Sequence, residues 1–210
     1  MLRIMILVAA LALVTVGRGL LMAIIVRLFG RSIGEQAVAQ QPDRIQLVRS
    51  APNAWRNASA ASALAEPLLG NGFDDAGTFR VQEMPDLVVR LLANPGDGFL
   101  AVVYEHPKAG HWLDLVTRYG DRTSITFTSH GPTGLSARPG HPVVNVSGAG
   151  ANALLARART ERPKGPMKPV SAQRAQSDFE DAYGEAIEWR KRHGVSSAEV
   201  AKAASLRKAA

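Results

Sequence analysis

The sequence predicts an α+β fold behind an N-terminal transmembrane helix, with a mostly antiparallel sheet, flanking helices and a C-terminal helical hairpin. Three observations predict it. Residues 4–26 form an apolar run broken only by Arg18. Strand-like pieces then follow one another at intervals too short for crossover helices. Past a proline-rich stretch, apolar residues recur at three- and four-residue spacing.

A helix rises about 1.5 Å per residue and the hydrocarbon core is about 30 Å thick, so the first run spans a bilayer unaided. Residues 1–31 are read as the anchor. A signal peptide cleaved after Ala37-Val38-Ala39 fits less well, because residues 20–31 with Arg27 and Arg31 separate the apolar run from that cut. Arg18 at the centre of a span costs about 2.5–3.5 kcal/mol. Two-thirds of the way along, it either snorkels to an interface or pairs with an acidic group on a partner helix. Gly17 and Gly19 beside it lack the four-residue spacing that packs helix dimers. Arg27 and Arg31 outweigh Arg3, so the expectation is a single-pass membrane protein whose soluble part faces the cytoplasm. Cysteine is absent, which excludes a disulfide framework and a thiolate metal site.

The net charge of +7 is unevenly placed. Residues 1–39 carry four Arg against one Glu, residues 40–160 carry 11 Lys and Arg against 10 Asp and Glu, and residues 161–210 carry 10 against 7. The body is nearly neutral, without the clustered cations that phosphate-backbone binding needs, so nucleic acid is not the expected partner.

Residues 32–42 read as a polar connector and 43–160 as the α+β domain. Residues 44–48 alternate as a first strand. Asn53 is positioned to cap a helix over 54–64, which Pro67 and Gly70-Asn71-Gly72 end. Strands are expected at 78–84, 87–92, 99–105, 112–118, 123–128 and 143–146. Residues 99–104 are apolar throughout and read as central. Ile125 and Phe127 alternate with hydroxyls, which suits a sheet with one wet face. A helix over 149–156 closes the domain.

Residues 161–171 are a linker by composition, with Pro163, Pro166 and Pro169 stiffening it. Residues 172–208 read as the hairpin. Phe179, Tyr183 and Trp189 lie on one apolar face, Arg190 to His193 fall in the last turn of the first helix, and Gly194 caps it. Ser196 and Glu199 have capping-box spacing for a second helix. Gly194-Val195-Ser196 followed by Val200 resembles the turn of DNA-binding helix-turn-helix units over about 20 residues. It departs from them at Arg190, where a small residue belongs, and in an alanine-rich second helix with few groups to read base edges.

The densest set of ligand-type side chains is Glu105, His106, His111 and Asp114. A metal site needs imidazoles held on rigid elements, whereas residues 106–111 read as a hairpin tip with a solvated histidine pair. His130 and His141 sit in Gly- and Pro-rich loops. No nucleophile elbow, phosphate loop, paired-histidine zinc helix or calcium loop occurs in the sequence. Ser147-Gly148-Ala149-Gly150 before a helix reads as a glycine turn, since no Lys follows to complete a phosphate cradle. Asn57-Ala58-Ser59 and Asn145-Val146-Ser147 match the glycosylation triplet, a pattern frequent by chance.

The resulting expectation is a membrane-anchored, non-enzymatic protein-interaction module without a cofactor, meeting its protein partner through Phe179, Tyr183 and Trp189. The alternative is a membrane-tethered enzyme or a binder of a small ligand or metal at His106, His111 and Asp114. DNA binding through the hairpin is the third reading.

Overall fold

The computed structural model describes residues 35–209 apart from Ala37, so the apolar run, Arg18 and the anchor lie outside the described residues. Among the described residues, no helix is long and apolar enough to cross a membrane. The chain forms two compact units.

The larger unit, Pro42–Pro132 with Ala137–Trp189, is built on one sheet. Its strands are β1 (Leu47–Arg49), β2 (Asp74–Val81), β3 (Met84–Asn94), β4 (Phe99–His106), β5 (Gly110–Arg118), β6 (Ser124–Thr128) and β7 (Val143–Asn145). They lie side by side in chain order. Neighbours are antiparallel from β1 to β6, as the short connections from β2 to β6 require, and β7 joins β6 in parallel. The helices are α1 (Ala58–Leu69), α2 (Ala151–Glu161), α3 (Ala175–His193) and α4 (Ser197–Ala209). The protein is therefore α+β with a mostly antiparallel sheet.

Strand alternation sorts the core into two clusters. On the first face, Phe99, Ala101, Val103, Leu113, Leu115, Ile125 and Phe127 meet Ala61, Ala65 and Leu68 of α1 and Leu154, Leu155 and Ala158 of α2. On the second, Leu47, Phe79, Val89, Leu91, Leu100 and Val102 meet Ala175 of α3, with Tyr104, Phe179 and Tyr183 packed against them. The expectation of a wet second face is corrected here: α3 covers its β1–β4 side, because Phe179 and Tyr183 supply the apolar cover. The polar side chains of α3 also block the sheet edge. Glu180 Oε1 accepts the Leu47 N–H at 2.7 Å and Gln176 Nε2 donates to the Leu47 carbonyl at 2.9 Å.

Several boundaries differ from the sequence reading: the strand expected at 78–84 is cut by the turn at 82–83 between β2 and β3, the first strand is Leu47–Arg49, the helix expected at 149–156 runs Ala151–Glu161, and α1 differs at both ends. Asn57 rather than Asn53 caps α1, its Oδ1 accepting the Ala60 N–H at 3.1 Å, while Pro52–Ala54 forms a 3-10 turn. Pro67 sits within the last turn of α1 instead of beyond it. The proline-rich segment is also tied down. Tyr119 Oη donates to the Pro163 carbonyl at 2.6 Å, Gly120 N to Pro166 O at 3.0 Å, and Lys168 N to Arg118 O at 2.8 Å.

In the described part of the smaller unit, Gly194 follows α3 at φ 70°, the left-handed cap conformation. Ser196 and Glu199 form the capping box of α4: Glu199 Oε2 accepts from Ser196 N at 2.9 Å, and Ser196 Oγ accepts from Glu199 N at 3.2 Å. Glu199 Oε1 also accepts from Ser136 N at 2.7 Å and from Arg190 at 3.1 Å. Burial pushes this carboxyl up, yet the Ser136 and Ser196 donors outweigh it and hold it at about 2.

Candidate functional site

The histidine and carboxylate set read from the sequence separates onto opposite faces. Register pairs Glu105 with His111 and His106 with Gly110, so His111 shares the first face with Glu105 while His106 falls on the second. Asp114, three residues beyond His111, also takes the second face. The solvated pair expected at the hairpin tip is corrected: His111 Nε2 lies 2.6 Å from Glu105 Oε1, with the Glu105 side chain only 4% exposed. Glu105 also accepts the N–H groups of Arg56 at 2.7 Å and Asn57 at 2.9 Å. Burial pushes its carboxyl up, and those donors with His111 outweigh burial and leave it below the ordinary value. This satisfied cluster holds the start of α1 against β4. His106 is a turn group whose Nδ1 accepts the Lys108 N–H at 3.2 Å.

Asp114 has the opposite character. Its Oδ1 is buried and has no hydrogen-bond partner. Burial drives the carboxyl up to about 6, against the pull of Thr128, Tyr104 and His130. Thr128 stands directly opposite on β6. Tyr104 and Trp112 are register partners whose rings stack at 4.5 Å with 8° between planes. His130 meets Trp112 edge-on at 5.3 Å, and Phe179 of α3 tilts against Tyr104 at 6.2 Å. Burial and Asp114 raise the Tyr104 hydroxyl well above its usual range. Tyr104, Trp112 and His130 are each half-buried, so the group around Asp114 reaches the surface.

A third cluster joins β6 to α3. Ser124 Oγ lies 2.8 Å from His141 Nδ1, the spacing of a nucleophile and its base. The same Arg138 nitrogen contacts His141 Nε2 and lies 3.4 Å from Nδ1. Burial and Arg138 push His141 down, which favours the neutral ring. The rest of the cluster is a chain of ion pairs. Glu185 meets Arg138 at 3.3 Å and Arg118 at 3.7 Å, and buried Asp178 meets Lys168 at 3.1 Å and Arg174 at 3.6 Å.

Two of the three aromatic residues expected to meet a partner are engaged by the body. Phe179 packs on the second sheet face, and Tyr183 does so while its hydroxyl donates to the Pro42 carbonyl at 2.9 Å. Trp189 is half-buried. Among the described residues, no three His, Asp or Glu side chains converge as metal ligands. No protein-family model, curated protein or solved structure matches the chain.

Proposed function

We propose that this chain is a membrane-anchored, non-catalytic binding module that takes a small ligand on the second sheet face at Asp114. One observation carries the reading: a carboxyl oxygen buried without a partner beside a half-buried aromatic pair. Holding that carboxyl at about 6 instead of 3.8 forgoes about 3 kcal/mol of stability at neutral pH. Groups kept at such a cost concentrate at functional sites. Membrane anchorage rests on the apolar run at 4–26, and a cytoplasmic body on Arg27 and Arg31.

Thermal-shift screening of the full-length chain and its Asp114→Asn variant in detergent tests the reading. Small polar ligands that raise the parent's Tm and leave the variant's unchanged support it. Ligands that shift both proteins equally, or a library without effect on either, contradict it.

A further inference from the structure

Resting on the assignment of Asp114 as a binding site, we infer that the ligand is a small organic ammonium ion, held by the Asp114 carboxylate against the Trp112 and Tyr104 rings. The hydrogen-bonding roles around the carboxyl select that chemistry. Thr128 Oγ1 already accepts the His130 N–H at 3.1 Å, so its remaining role toward Asp114 is that of a donor. His130 Nδ1 lies 2.7 Å from the Gly131 carbonyl, which only accepts, so Nδ1 bears a hydrogen. The open position is thus an acceptor, Asp114 Oδ1. A matching ligand brings N–H donors.

Charge narrows the class further. Arg118 shares the second face of β5 with Asp114 but is drawn to Asp178 and Glu185 of α3, at 4.0 and 3.7 Å. Lys168 and Arg174 are likewise held by Asp178. The titratable groups facing Asp114 are Tyr104 from β4 and His130 beyond β6, and among the described residues no Lys or Arg is paired with it. An anionic ligand meets repulsion here, and a neutral one leaves the carboxylate uncompensated. Among the described residues no further ligands converge on this carboxylate, which makes it a poor metal site. An ammonium ion pairs with Asp114 and is attracted to the electron-rich faces of the stacked rings. Burial of the oxygen strengthens both attractions relative to solvent.

The test uses the full-length chain in a maltoside detergent, with n-butylammonium chloride as the probe and n-butanol as its neutral isostere. The readout is the Trp112 indole N–H resonance, assigned by Trp112→Phe, with the Trp55 indole as the control for an intact fold. n-Butylammonium is expected to shift the Trp112 resonance saturably, with at least tenfold tighter binding than n-butanol and at least tenfold weaker binding in Asp114→Asn. Equal binding of the two probes, both lost in Asp114→Asn, overturns the ammonium assignment and leaves the binding site standing. No movement of Trp112 with either probe contradicts the ammonium assignment and the site together.

Discussion

Glu105 Oε1 lies 2.6 Å from His111 Nε2, and the same carboxylate receives the N–H groups of Arg56 and Asn57. One buried side chain of β4 thereby closes a neighbouring strand and fixes the residues that start α1. Glu105→Ala should lower stability by about 3 kcal/mol in chemical denaturation, since it strands three donors at once. The α1 amides should lose hydrogen-exchange protection first. Because the folded carboxyl titrates below its unfolded value of about 4.3, the stabilisation is present above that pH. It should be lost as pH falls through the folded value.

Asp114 carries the opposite sign. Its folded value of about 6 exceeds the unfolded one, so the folded state binds the proton more tightly and stability should fall as pH rises from about 4 to 6. Asp114→Asn should therefore stabilise the protein by about 3 kcal/mol at pH 8 and by less than about 1 kcal/mol at pH 4. Denaturation curves at the two pH values check this, and an equal effect at both would mean that ionisation is not the origin.

Phe179 packs on Tyr104 and the second-face cluster. Phe179→Ala should cost about 3 kcal/mol in thermal or chemical unfolding, the usual price of emptying such a site. An unchanged stability would return this side chain to the role of a partner contact.

Gly134 has φ 84°, and a Cβ there would stand 2.6 Å from the Ala203 backbone nitrogen of α4. Gly134→Ala combines left-handed strain with a backbone clash, so a loss of at least about 1 kcal/mol is expected. Hydrogen exchange along α4 should report it, with the amides near Ala203 affected most.

Local chemistry made much of the sheet legible. The apolar run at 99–104 is buried on both faces because helices lie on each, and the alternation of Ile125 and Phe127 marks the face under α1 and α2. The capping box at Ser196 and Glu199 acts within four residues, so its pattern sufficed. The choice between Asn53 and Asn57 as the cap did not, since Glu105, distant in sequence, decides it by binding the Asn57 N–H. The amphipathic stripe of α3 was visible, but its cover was not: periodicity gives a buried face without naming what buries it.

For the site, residue parity along β5 was the signal available. His111 and Asp114 differ by three positions and so oppose each other across the sheet, whereas Trp112 and Asp114 differ by two and share a face. Tyr104 joins them only through the β4–β5 register, and His130 through its place beyond β6. The orphaned Oδ1 is a property of tertiary packing and leaves no mark in the sequence.

The most direct measurement is the carboxyl titration of Asp114, followed through its 13Cγ resonance in the full-length protein. A midpoint near 6 is the predicted result, moving down when an ammonium ligand is bound. A midpoint at or below the ordinary aspartate value of about 3.9 would mean that the carboxylate is already satisfied, and would contradict the assignment of this face as a binding site.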